Sequence, residues 1–322
     1  MLVGHRIPSG ADAAPPHAVT APAPWSGGRA AYVVPVDVSM PLRLRLDLSY
    51  DGTEFAGWAA QPGRRTVAGA IGDALAVLFG TPVALVVAGR TDAGVHALGQ
   101  VAHIDVDADR LSTLAPRGRA ADDPSAGRDG LLRRLAGLLP ADVRVRAVAA
   151  AAPGFDARFS ALCRHYRYRI GTATWGLAPL DRTAILDLHR RLDVERMDRA
   201  AAGLLGLHDF AAYCRPREGA TTVRDLQQLS VTGGADEVTV EVTADAFCHS
   251  MVRSLVGALI GVGDGRLDID EPARLLAAGQ RTAAVHTAPA RGLTLVGVDY
   301  PADAGLAARA EITRAVRTRL DG

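Results

Sequence analysis

The sequence predicts an α+β fold in which two related α/β halves share one mixed, mainly antiparallel sheet. Three observations carry this expectation. Leu42 to Tyr50 alternates strictly between apolar and polar residues, the period of a half-buried strand. Val67, Ile71, Ala74, Leu75, Leu78 and Phe79 then recur at helical spacing on one face. The succession strand, helix, strand, strand returns after residue 160, beginning with the alternating stretch Arg164 to Ile170.

Residues 1 to 39 are rich in Ala, Pro and Gly, lack either period and read as a disordered extension. Pattern begins abruptly at Met40, which makes that residue a candidate translation start. The N-terminal half spans 40 to 150. Asp51-Gly52 turns its first strand, and a loop with Phe55, Gly57 and Trp58 runs to Arg64-Arg65. Thr66 has the chemistry of an N-cap, and Gly80-Thr81-Pro82 stops the helix. Ala84 to Ala88 and Gln100 to Val106 read as strands that flank a glycine-rich turn carrying Asp92. Residues 107 to 130 read as a polar connection, 131 to 138 as a short helix and 143 to 148 as a strand, with a linker at 149 to 155.

The C-terminal half spans 151 to 301. After the strand at 164 to 170, Asp193 is placed to cap a helix carrying Met197, Ala200, Ala201, Leu204 and Leu205. Strands follow at 224 to 231 and 237 to 246, joined by a hairpin at Gly233-Gly234. Helices are expected at 247 to 262 and 271 to 278, and a last strand at 293 to 298. Residues 302 to 322 form a helical tail with arginines on an amphipathic pattern.

Of the 322 residues, 48% are hydrophobic and 22% charged, and the net charge is +1, so composition gives no warrant for nucleic-acid binding and any basic surface has to be a local patch. All the Lys+Arg content is arginine, the side chain that forks onto phosphate and stacks on bases. Cys163, Cys214 and Cys248 are far apart and form no Cys-x-x-Cys pair, which argues for reduced thiols and against a disulfide frame or zinc site. Cys163 with His165, and Cys248 with His249, read as buried small hydrophobes rather than metal ligands. No stretch is apolar enough for a membrane span and no signal peptide is visible, so a cytoplasmic protein is expected.

Candidate chemistry gathers around Gly89-Arg90-Thr91-Asp92-Ala93-Gly94-Val95-His96. Taken alone, this is a glycine-rich hairpin in which Asp92 caps its own backbone. On the strand at 164 to 169, His165, Arg167 and Arg169 face one way and Tyr166 and Tyr168 the other, one face suited to phosphate and one to a base. Arg253, inside an apolar helical pattern, needs a partner such as a carboxylate in a cleft.

The turn resembles the signature of the TruA family of tRNA pseudouridine synthases. Tyr50 to Trp58 is similar to that family's opening motif, and Phe155-Asp156-Ala157-Arg158-Phe159-Ser160 with Tyr166-Arg167-Tyr168 to its middle one. Asp209-Phe210, Arg224 and Phe247 to Arg253 match the later ones, so the resemblance covers about residues 42 to 300. It implies RRM- or ferredoxin-like halves around a central catalytic cleft, and isomerisation of uridine to pseudouridine at positions 38, 39 and 40 in the anticodon arm of tRNA. It implies Asp92 as nucleophile, Tyr166 stacked on the target base, Arg90 holding the flipped nucleotide near Asp92, and Arg253 paired with Asp92. Arg158 is a further substrate-binding candidate. No cofactor or metal is implied; the partners are tRNA and a second copy of the chain in a homodimer, with no membrane. One departure is visible: Ala136-Gly137-Leu138 stands where relatives carry asparagines before Leu139-Pro140-Ala141-Asp142. Two other readings compete, a non-catalytic RNA-binding protein and a metal-dependent hydrolase using Asp92, His96 and His103. The second is disfavoured because residues 96 and 103 of a strand face opposite ways.

Overall fold

A computed structural model describes residues 41–315 apart from 119–122, 124, 218, 220 and 284. The expected extension at 1 to 39 and the end of the expected tail lie outside the described residues.

The first 150 residues supply β1 (Leu42–Tyr50), α1 (Val67–Phe79), β2 (Leu85–Val87), β3 (His96–Val106), α2 (Ala108–Ser112), α3 (Ala126–Leu138) and β4 (Val143–Ala150). The chain continues through β5 (Cys163–Gly171), β6 (Leu186–Asp187), α4 (Val194–Ala202), β7 (Gly206–Asp209), β8 (Val223–Gly233) and β9 (Glu237–Ala244). It ends with α5 (Met251–Gly263), α6 (Glu271–Ala278), β10 (Leu293–Asp299) and α7 (Leu306–Arg314).

One sheet runs β4-β1-β3-β10-β5-β9-β8-β7, with β2 added to β3 and β6 to β5. The pairings are antiparallel except β3 with β10 and β5 with β6. The mixed, mainly antiparallel sheet expected from the sequence is therefore present. The strand farthest along the chain, β10, lies in its middle. Its Leu295 pairs with Ala97 of β3 on one side and with Tyr166 of β5 on the other. Tyr50 of β1 pairs with Ala97 in turn. Tyr50, Ala97, Leu295 and Tyr166 thus form one buried row across four strands.

Apolar faces explain the layers. Leu44, Leu46 and Leu48 of β1 are fully buried, while Arg43 on the other face forks onto Asp105 of β3 at 2.7 Å. Thr66 accepts from Gly69 N at 3.2 Å and Asp193 from Arg196 N at 3.0 Å, so both expected caps open their helices. α5 is buried nearly all round and forms part of the core rather than a surface.

Several boundaries differ from expectation. The helix expected at Leu131 begins at Ala126, because Gly127 and Gly130 lie where a Cβ would overlap the Leu111 and Leu114 backbone carbonyls. These glycines serve close packing against α2 and its following turn, not a loop. The helix expected from Phe247 begins at Met251, because Ser250 takes φ +64° and breaks the periodic stretch. β3 starts at His96, four residues before the expected Gln100, and the short strand β7 was not anticipated. Of the expected tail helix, Leu306–Arg314 is helical.

A Cβ on Gly52 would overlap the Val95 carbonyl at the end of the Asp92 turn, whereas one on the helical Gly72 meets nothing within 4 Å. Gly52→Ala is therefore expected to destabilise the fold by about 1–3 kcal/mol through overpacking. Gly72→Ala is expected to stabilise it by about 0.5–1 kcal/mol. Urea unfolding of both variants checks the pair, and equal midpoints would contradict it.

Candidate active site

The turn between β2 and β3 is tied from below and from the side. Tyr50 reaches up from the end of β1 and bonds Thr91 Oγ1 at 2.8 Å, buried. Gln100 Nε2 donates to the Tyr50 hydroxyl at 3.2 Å and to the Gly89 carbonyl at 2.8 Å. The 52–58 loop lies alongside, where Trp58 N donates to Thr91 O at 3.1 Å and Gly94 N to Phe55 O at 3.2 Å. His96 closes the far end. Gly52 N donates to its Nδ1 at 3.1 Å, and its Nε2 lies 3.1 Å from the Arg291 carbonyl. A carbonyl only accepts, so the Nε2 of His96 carries the proton. Burial pushes the Tyr50 phenol up to about 12, against the hydrogen bonds with Thr91 and Gln100 that lower it.

Asp92 stands on this platform with its side chain 26% exposed, open enough to meet a ligand. Arg253 Nη1 donates to its Oδ2 at 3.4 Å and Ser250 Oγ to the same oxygen at 3.3 Å. His249 Nε2 stands 3.6 Å from Oδ1. The guanidinium does not swing freely. Its Nε donates to the Ala288 carbonyl at 2.7 Å, and Ala288 N returns a bond to the Arg253 carbonyl at 2.9 Å. Tyr166 lies on the same sheet face, its ring edge-on to Phe247 with centroids 5.1 Å apart. Burial, and then the nearby Tyr50 and Asp92 charges, push its phenol far up.

Asp92, Arg253 and Tyr166 are thus brought together. Arg90 is exposed and makes no hydrogen bond or ion pair among the described residues. Arg158 is exposed too and stacks its guanidinium on Phe159 at 5.1 Å, not on Asp92. Arg167 is engaged with Glu241 at 2.8 Å, and Arg169 with Glu237 at 2.7 Å and Asp181 at 3.4 Å. The strand face read as free for phosphate is therefore largely neutralised.

Three contributors escaped the sequence reading. Arg164 is buried and donates to the carbonyls of Asp245 at 2.6 Å, Ala88 at 2.8 Å and Arg158 at 2.8 Å. It ties the strand before the Asp92 turn to two distant segments, and burial lowers its pKa. Ser250 and His249 stood inside a quoted motif, but nothing in spacing shows that a left-handed Ser250 turns both toward Asp92. His96 and His103, the hydrolase candidates, are engaged by the backbone instead, and His96 Nδ1 also lies 3.1 Å from Asp51 Oδ1. His103 is buried and accepts from Ala157 N at 3.0 Å.

The cysteine expectation needs correction. Cys214 and Cys248, 34 residues apart in sequence, are joined as a disulfide with Cα atoms 5.7 Å apart, and Cys163 is free and buried. Folding returns the segment before α5 to the segment after β7, where Arg215 N donates to His249 O at 2.9 Å. Sequence separation hid that proximity.

The region that lacks the asparagines is held by other means. Arg65 forks onto Asp142 at 2.7 and 2.8 Å, and Asp51 N donates to the Asp142 carbonyl at 3.0 Å.

Comparison with known proteins bears on this geometry. The tRNA pseudouridine synthase A of Mycobacterium leprae is 53% identical over 284 residues, 88% of this chain and 98% of that protein. The chain belongs to the tRNA pseudouridine synthase A family. The Frankia casuarinae member is 57% identical over 278 residues, covering 86% of this chain and 96% of that one. The Corynebacterium glutamicum member is 50% identical over 283 residues, covering 86% and 95%. A family described as tRNA pseudouridine synthase matches residues 200–301, the part that carries α5 and β10. The family resemblance drawn from the motifs is therefore met.

The raised Tyr50 phenol has a consequence for stability. A group whose pKa is higher folded than unfolded stabilises fully below its unfolded value, and that contribution is lost as pH rises through the folded value. Stability is therefore expected to fall between about pH 10 and about 12, Tyr50 contributing roughly 1.4 kcal/mol per pH unit. Tyr50→Phe should flatten part of that alkaline loss in urea titrations; an unchanged slope would contradict the assignment.

Proposed function

We propose that this chain isomerises uridine to pseudouridine in the anticodon stem-loop of tRNA, at positions 38, 39 and 40, with Asp92 as the nucleophile. The observation that carries the reading is the Asp92 carboxylate, partly open to solvent and held by Arg253 from a helix 161 residues away in sequence. Family membership supports the reaction, and this geometry supports the assignment of its carboxylate.

The chemistry is an internal rearrangement. The bond from uracil N1 to the ribose breaks, the base turns, and C5 forms the new bond to the same carbon. C5 gives up a proton and N1 gains one, so atoms and electrons balance without a redox partner. A carboxylate suits either route, trapping the cationic sugar or adding to the uracil ring. The target base has to leave its stack first, at a cost of a few kcal/mol. Tyr166 offers a ring already seated by Phe247 on which the base stacks. Arg90, exposed two residues before Asp92, supplies a guanidinium for the backbone of the flipped nucleotide. Arg158 supplies another outside the immediate site.

The same reading makes the protein a cytoplasmic homodimer, each tRNA touching both subunits. Light scattering on the purified chain is expected to give a two-subunit mass, and a monomer would overturn that part.

Asp92→Asn removes the nucleophile while keeping the shape of the side chain. Tritium release from tRNA labelled at uridine C5 is expected to fall by at least about a thousandfold. Circular dichroism and tRNA affinity should change little. Release at the normal rate would show that another group performs the attack.

A further inference from the structure

Three different ligand atoms converge on the face of β5 that carries Arg167, away from Asp92. Cys163 Sγ lies 3.4 Å from His165 Nε2 and 3.3 Å from Asp299 Oδ2, and those two atoms are 2.8 Å apart. Strand geometry produces the cluster. Cys163 and His165 are two apart on β5 and share a face, and antiparallel pairing sets Asp299 of β10 opposite Cys163.

We infer that Cys163, His165 and Asp299 form a binding site for a divalent transition cation, with zinc the best match. Around tetrahedral zinc, with bonds of about 2.0–2.3 Å, such donor atoms lie about 3.3–3.6 Å apart. The three atoms need only move outward by a few tenths of an ångström, and the half-exposed Asp299 side chain can give that room. Thiolate and imidazole donors select zinc over magnesium or calcium, which take oxygen ligands.

The imidazole is oriented for this role. Thr243 Oγ1 donates to Gln228 Oε1 at 3.3 Å, so it accepts from His165 Nδ1 at 2.9 Å. Nδ1 is thus engaged by Thr243, which leaves Nε2 to face the carboxylate and the thiol. A hydrogen bond on the other nitrogen is the usual support of a metal-bound histidine. A hydrolase triad is excluded on geometry, since it places nucleophile and carboxylate on opposite ring nitrogens and here both meet Nε2. His165 and Asp299 are open to solvent, which leaves a water in the fourth position. A bound ion would clip β5 to β10, two of the strands of the row beneath the active site.

Chelator-stripped, full-length protein is titrated with zinc sulfate against a chromogenic chelator. One zinc per chain is expected, with Cys163→Ser and His165→Ala each weakening binding by about tenfold or more. Asp299→Asn, at an exposed position, is expected to weaken it with the fold intact by circular dichroism. The double variant Cys214→Ser, Cys248→Ser should bind as the parent does. Cobalt(II) should give a thiolate charge-transfer band that Cys163→Ser abolishes. Less than one zinc per chain, or binding indifferent to Cys163, His165 and Asp299, would overturn the site and leave a hydrogen-bonded ion pair only.

Discussion

The candidate site around Asp92 depends on β10 being inserted between β3 and β5, parallel to the one and antiparallel to the other. A parallel pair needs a long crossover, and here nearly 200 residues separate the two strands it joins. Leu295 then has Ala97 on one side and Tyr166 on the other. Strand spacing alone sets Tyr166 roughly 10 Å from the strand that follows Asp92. Were β10 absent from this position, the two would have no common frame.

The ion pair at the centre is stabilised asymmetrically. At an effective dielectric of about 20, two unit charges about 4 Å apart attract by about 4 kcal/mol, offset by the desolvation of both. The backbone meets part of that cost on the arginine side, since Arg253 Nε is already satisfied by the Ala288 carbonyl. Asp92 has no such anchor among its side-chain contacts and depends on what α5 presents. The carboxylate is therefore positioned by a helix from one part of the chain and by a turn from another. Its geometry reports whether the two are correctly assembled.

Local elements were legible because one or two residues decide them. Strict alternation produced β1, and Thr66 and Asp193 opened their helices by direct side-chain acceptance. Asp92, Arg253 and Tyr166 were singled out together through the family resemblance of their motifs, and folding brings them together. What failed was decided by partners on other elements or by a single backbone conformation. Arg167 and Arg169 read as a basic face, but their fate rests on Glu241 and Glu237 of the paired β9. Cys214 and Cys248 read as isolated thiols because their proximity comes from how α5 returns over β7 and the turn after it. Periodicity ran through Phe247 to Val262 without pause, yet Ser250 adopts a left-handed conformation that no hydrophobic pattern encodes.

That interruption is itself informative. A non-glycine residue in the left-handed region carries a conformational cost of about 1–2 kcal/mol, and such positions persist where the surroundings over-determine them. Here Ser250 N-terminally bounds α5 and its hydroxyl meets Asp92 Oδ2. Cys248 is fixed two residues earlier by Cys214, and Arg215 holds the His249 carbonyl. A regular helix through this stretch would remove the conformational cost but carry Ser250 and His249 along the helical path, away from the carboxylate they now meet. The distortion and the surroundings of Asp92 are one feature of the structure: the backbone departs from the helix where its side chains are turned toward the Asp92 carboxylate.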